Sequence, residues 1–135
     1  MKTTPLSFIG GGRITRIILQ AFSNNNRTFE KVLVYDTNAK VLENLIKQFP
    51  AIQSATIEEA ASQSTVFLAL HPPVIPETLQ KMETLVAAET SVISLAPKIS
   101  IKQIQSILKS KNIARMIPNA TSFINQGFNP ITFSL

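Results

Sequence analysis

Near the start of the chain a short apolar run, Leu6-Ser7-Phe8-Ile9, ends in three consecutive glycines, Gly10-Gly11-Gly12, and helical periodicity begins at once behind them. The apolar run reads as a buried strand. Ile14, Ile17, Ile18, Ala21 and Phe22 then recur with the spacing of one helix face. Glycine permits the tight turn between the two elements. Such a turn presents the free amides of a helix N-terminus with little side chain in the way, which is what an anion requires.

The same alternation continues. Asn24-Asn25-Asn26 reads as a loop. Val32-Leu33-Val34-Tyr35 is a second strand, and Asn38 can cap a helix carrying Val41, Leu42, Leu45, Ile46 and Phe49 on one face. A short strand is expected around Ile52, and Thr56-Ile57-Glu58-Glu59 has the form of a capping box. Residues 65 to 70 form another apolar strand, stopped by His71-Pro72-Pro73. Pro76 suits the first turn of a helix running to about Ala87. Ser91 to Leu95 is a strand, and Ser100-Ile101-Lys102-Gln103 is a second capping box, opening a helix to about Ser110. Ile113 to Ile117 is a strand ended by Pro118-Asn119, and Ile131-Thr132-Phe133 is a last one.

Strands joined by helices imply right-handed crossovers. The expected fold is therefore α/β, a Rossmann-type doubly wound, mostly parallel sheet with helices on both faces. A length of 135 residues fits one domain, residues 1–135.

Composition removes several classes of function. Apolar residues make up 44% of the chain, enough for a core. Without Cys there is no disulfide, thiolate nucleophile or thiolate metal site, and His71 as the sole His argues against zinc. No apolar run reaches the ~18 residues of a membrane span. Lys2 is followed only by the short run Leu6 to Ile9, which is not a signal peptide. A soluble, cytoplasmic protein is expected. The net charge is +5, but Lys and Arg are scattered, with one Tyr and no Trp for stacking, so a nucleic-acid partner is set aside. A phosphate-bearing ligand or a generic basic surface accounts for the charge.

In its context the glycine triplet reads as a dinucleotide fingerprint. Gly10 permits the turn and Gly12 lets the backbone approach a pyrophosphate, while Arg13 is free to reach phosphate. The third fingerprint position, commonly Gly or Ala, is Thr15, so this helix is expected to sit slightly differently. Asp36 ends the second strand 24 residues after Gly12, near the spacing of a ribose-binding carboxylate. A carboxylate there favours NAD over NADP. Thr37, Asn38 and Lys40 follow at once and together can hold a 2′-phosphate; singly, Asn38 also reads as a helix cap and Lys40 as a solvated residue.

Four stretches resemble the N-terminal domain of the pyrroline-5-carboxylate reductase family, within the wider group of deazaflavin-dependent NADP oxidoreductases. They are Phe8-Ile9-Gly10-Gly11-Gly12; Phe67-Leu68-Ala69-Leu70-His71-Pro72 with Val74-Ile75-Pro76; Val92-Ile93-Ser94-Leu95-Ala96 with Ile99-Ser100-Ile101; and Arg115-Met116-Ile117-Pro118-Asn119 with Gly127. The resemblance covers nearly the whole chain. It implies NADP as cofactor, with NAD the alternative, and hydride delivery to an imine carbon in proline biosynthesis. It implies cofactor contacts at Gly10, Gly11, Gly12, Arg13 and Ile14, after the second strand, and at Leu70, His71 and Pro72. Asn119 is expected close to the nicotinamide and substrate.

The chain also departs from the family. His71 stands where the family has Lys, Pro97-Lys98 replaces an Ala-Gly pair, and Ala120 replaces a Thr. The family's helical second domain, which forms the dimer and completes the substrate pocket, is not found in these 135 residues. The expectation is a chain that binds the dinucleotide but is inactive alone, taking an imine substrate only if a second domain is supplied. A non-catalytic nucleotide-binding module is the alternative, and homodimerisation is left open. His71 reads either as a general acid or as a loop residue bordering the cofactor. Lys98 reads as an anion contact or a solvated residue.

Overall fold

The computed structural model describes residues 5–117 and 131–134. Strands β1 (Leu6–Ile9), β2 (Val32–Tyr35), β3 (Gln53–Ser54), β4 (Thr65–Leu68), β5 (Ser91–Ser94), β6 (Asn112–Met116) and β7 (Ile131–Phe133) form one sheet. Their order is β3-β2-β1-β4-β5-β6-β7. Every pairing is parallel except β6 with β7, which is antiparallel. The expected doubly wound, mostly parallel sheet is therefore observed.

Five helices connect the strands: α1 (Arg13–Asn24), α2 (Ala39–Gln48), α3 (Ile57–Ala61), α4 (Ile75–Met82) and α5 (Ile101–Gln105). A 3-10 turn, Pro72–Val74, precedes α4. Three helices begin where the sequence placed a cap. Asn38 accepts from the amides of Lys40 and Val41. Thr56 with Glu59, and Ser100 with Gln103, each close a reciprocal capping box.

The two faces of the sheet bury separate cores. On one, Ile18 and Leu19 of α1 and Leu45 of α2 cover Leu6, Phe8, Val32, Val34 and Phe67. Phe8 and Phe67 stack there with ring centroids 4.8 Å apart. On the other, Ala60 and Ala61, Ile75, Leu79 and Met82, and Ile104 cover Ile9, Val66, Leu68, Val92 and Ile113. Each large aliphatic side chain removed from water contributes about 1.5–3 kcal/mol. Both faces being covered is why these strands are almost continuously apolar.

Some boundaries differ from the sequence reading. Helix α1 takes in Asn24, and the left-handed residue of the following loop is Asn26 (φ 53°). Helix α4 ends at Met82 rather than near Ala87. The amides of Leu85 and Val86 both fold back onto the Met82 carbonyl, which turns Val86 into the core. Helix α5 ends at Gln105 rather than near Ser110, with Ile107 and Leu108 both donating to the Ile104 carbonyl. In both cases apolar spacing continues through tight turns that bury the same side chains without extending the helix. Pro118, Asn119, Ala120 and Gly127 lie outside the described residues.

Candidate functional site

The sheet order places a topological switch at β1. From β1 the chain winds outward through β2 and β3, then crosses back through α3 to β4 on the other side of β1. The loops leaving β1 and β4 therefore diverge and open a crevice at their carboxyl ends, the usual ligand position in such sheets.

Gly10 closes the floor of this crevice. Its N–H donates to the Tyr35 carbonyl at 2.7 Å, while Ala69 N–H donates to the Ile9 carbonyl at 2.9 Å. Gly10 has φ +110°, a conformation that side-chain-bearing residues rarely adopt. A Cβ there would also press into the Ala69 carbonyl. Both the backbone angle and the neighbouring strand require glycine. Ala69 was not singled out from the sequence; its place at the end of β4 was the available signal.

Gly11 packs between the second strand and α2. A Cβ would lie 3.3 Å from Val34 Cγ1 and 3.4 Å from Val41 Cγ1. Its N–H donates to Asp36 Oδ2 at 2.9 Å, and Asp36 Oδ1 accepts from Asn38 N–H at 2.8 Å. The half-buried carboxylate thus ties the glycine loop to the start of the α2 connection.

Gly12 is different. A Cβ built on it would meet nothing within 4 Å, so no protein atom demands glycine there. Its backbone is extended, at φ −80° and ψ −157°. It is the N-cap of α1 and supplies no side-chain cap, and the first turn has no acidic residue. The first amides of this 12-residue helix thus take no side-chain cap, and the space beside the Gly12 Cα is open. That arrangement can accept an anion at close range. Arg13 beside it is exposed and Ile14 is half-buried.

Thr15 occupies the third fingerprint position. It is fully buried, and its hydroxyl donates to the Gly10 carbonyl at 2.5 Å. The hydroxyl locks the first helical turn onto the glycine loop.

Around this core the structure gathers most of the residues read from the sequence. Asp36, Thr37, Asn38 and Lys40 follow β2, with Thr37, Asn38 and Lys40 exposed. The side-chain oxygen of Asn38 is committed to capping α2. Leu70 lies at the end of β4 against Gly10, where a Cβ on the glycine would come within 3.2 Å of Leu70 Cδ2. His71 is exposed, and its carbonyl accepts from Val74 N–H at 3.1 Å. Pro97 and Lys98 are exposed after β5. Among the described residues no group of three or more His, Cys, Asp or Glu could hold a metal ion, and no helix is long and apolar enough to cross a membrane.

Comparison with known proteins agrees with this architecture. The family described as NADP oxidoreductase coenzyme F420-dependent matches residues 5–98. Pyrroline-5-carboxylate reductase of Pasteurella multocida is 25% identical over 134 residues, covering 96% of this chain and 49% of that protein. A pyrroline-5-carboxylate reductase structure from Coxiella burnetii superposes with a TM-score of 0.89 at 22% identity, over 98% of this chain and 50% of that one. Plasmodium falciparum pyrroline carboxylate reductase, solved with NADP bound, superposes with a TM-score of 0.81 at 18% identity, over 99% of this chain and 49% of that one. These structural likenesses establish the Rossmann-type fold. The chain spans about half the length of the relatives it matches.

Proposed function

The chain belongs to the NADP oxidoreductase, coenzyme F420-dependent family, and from that premise we propose that it is the NAD(P)-binding domain of a pyrroline-5-carboxylate-reductase-like oxidoreductase. The observation that carries the proposal is the open space over Gly12 at the uncapped start of α1. The cofactor would be NADP, as in the Plasmodium relative, with NAD the weaker ligand.

In this reading the backbone from Gly10 to Ile14 holds the pyrophosphate, and Arg13 adds a cation at its edge. Asp36, Thr37, Asn38 and Lys40 face the adenosine ribose. Lys40 supplies a point charge to a 2′-phosphate. Leu70, His71 and Pro72 border the dinucleotide where it passes β4; Asn119, outside the described residues, is assigned to the nicotinamide end by the family resemblance alone. The bound dinucleotide supplies the hydride, and the chain orients it. Reduction of an imine carbon, dimerisation and the rest of the substrate pocket are assigned to the whole protein by similarity to relatives twice this length. Residues 1–135 act as the cofactor-binding unit.

Titration of the chain with NADPH and NADH, followed by nicotinamide fluorescence, tests this. Saturable binding of NADPH, tighter than NADH, is expected. Absence of binding for both at millimolar concentration contradicts the proposal.

A further inference from the structure

One transverse row of side chains runs across the sheet as successive register partners: Val34, Phe8, Phe67, Ile93, Ala114 and Phe133. Register partners share a face, so the row lies on the side that α1 and α2 cover. Val34, Phe8 and Phe67 are buried there and Ile93 is half-buried, but Phe133 is 69% exposed. Ile131, two residues earlier on the same face, is 47% exposed. The cover over this face thus runs out toward β7.

Among the described residues β7 is also the last strand of the sheet. Ser134 N–H donates to the Ile113 carbonyl at 2.7 Å. Ladder bonds of an antiparallel pair fall on alternate residues, so Thr132 and Ser134 turn their backbone groups toward β6. The N–H and C=O of Ile131 and Phe133 therefore point out from the edge. Such groups are a template for another strand, and edges are commonly guarded by charge. Here no Asp, Glu, Lys, Arg or His occurs from Met116 to Leu135. The opposite edge, β3, is only Gln53–Ser54, short, polar and exposed. The cations near β7 lie on its other face, where Thr132 and Arg115 line a cavity with Ser100, Ile101 and Lys102.

We propose that β7 is a self-association edge, pairing antiparallel with β7 of a second copy of this chain about a two-fold axis at Thr132. In that register Ile131 stands opposite the partner's Phe133, and Phe133 opposite the partner's Ile131. Every outward N–H and C=O of the two strands is then used, in four hydrogen bonds. Four large apolar side chains gather on one face as aromatic and β-branched cross-strand pairs, a favoured combination. The contact is self-complementary, as a closed two-fold interface must be. Charge also points to a like copy. Two chains of net charge +5 repel, and this uncharged stretch is where they approach most freely. Arg115 and the partner's Arg115 would lie three strand spacings apart, about 14 Å, beyond a Debye length of about 8 Å. With no charge of its own, the edge has nothing to select an oppositely charged partner. Strands β4, β5 and β6 separate β7 from β1 and its glycine loop, so the proposal stands independently of the dinucleotide reading.

The test is sedimentation equilibrium of the chain without dinucleotide, from about 10 μM to about 1 mM, beside amide–water exchange rates by NMR on the same samples. A pairing of three-residue strands is a small interface, so the dimer is weak and concentration-dependent. The mass is expected to rise from 14.8 kDa toward twice that value and to stop there. Over the same range the amides of Ile131 and Phe133 are expected to slow their exchange about tenfold, while those of Gln53 and Ser54 on the opposite edge keep their rates. Phe133→Lys, at an exposed position, is expected to keep the parent's unfolding midpoint and to weaken association about tenfold or more. If that variant fails to fold, mass and exchange in the parent chain decide the matter. A chain that stays at monomer mass to about 1 mM overturns the proposal, as does growth past the dimer. So does unchanged association in folded Phe133→Lys, or a dimer whose Ile131 and Phe133 amides exchange as in the monomer.

Discussion

The main-chain N–H of Gly11 donates to Oδ2 of Asp36 across 2.9 Å, while the other oxygen of the same carboxylate accepts from Asn38. One side chain thus fastens the end of the first strand to the end of the second. In this conformation Asp36 also stands where an adenosine ribose is proposed to bind, so structural and binding roles meet in a single carboxylate.

Replacing Asp36 with Ala strands two backbone donors. Unfolding in urea is expected to show a loss of about 1–3 kcal/mol. In the folded variant, discrimination against the 2′-phosphate relaxes, so the ratio of NADPH to NADH affinity rises. A variant of unchanged stability would show that the carboxylate does not hold the loop. An unchanged ratio would show that it does not meet the ribose.

Thr15 makes its own prediction. Thr15→Val keeps the shape but leaves the Gly10 carbonyl without its donor, at an expected cost of about 1–3 kcal/mol. Thr15→Ser keeps the bond and loses a methyl group, costing about 1 kcal/mol. If Val is tolerated better than Ser, packing rather than the hydroxyl is what the position needs.

Asn38 and Lys40 separate by readout. Asn38→Ala removes the α2 cap and is expected to lower stability by about 1 kcal/mol. Lys40→Gln is exposed and leaves stability unchanged, but weakens NADPH more than NADH, with the difference fading as salt is raised. Equal weakening of the two dinucleotides by Lys40→Gln would place its charge away from the 2′-phosphate.

Much of the fold was legible because its strands are buried on both sides and its helices carry explicit caps. Leu6–Ile9 and Val32–Tyr35 were read with the boundaries observed, and Asn38, Thr56 and Ser100 cap the helices they precede. The ends of α4 and α5 were read too far along the chain. Val86 and Leu108 sit in the core whether they arrive by helix or by tight turn, so apolar spacing alone does not distinguish the two. At the site, the glycine triplet located the loop, but its three positions look alike in sequence. Only the geometry shows that Gly10 answers to Ala69, Gly11 to Val34 and Asp36, and Gly12 to empty space. The hydrogen bond of the Thr15 hydroxyl was likewise not read from the sequence, because its acceptor depends on the turn that precedes it. The cavity beside Arg115 joins residues from a loop, a helix and two strands, including one antiparallel pairing, and no local pattern announces it.

The central claim is that the space over Gly12 is kept open for a dinucleotide phosphate, and a pair of glycine variants tests it most directly. Gly12→Ala meets no protein atom in an extended backbone, so its unfolding free energy is expected to stay within about 0.5 kcal/mol of the parent. Gly10→Ala must hold φ +110° against the Ala69 carbonyl, and is expected to lose about 1–3 kcal/mol or more. The decisive measurement is NADPH affinity of folded Gly12→Ala beside that of the parent chain. The account predicts a fall of about tenfold or more with stability intact. Undiminished NADPH binding by a stable Gly12→Ala protein would contradict it.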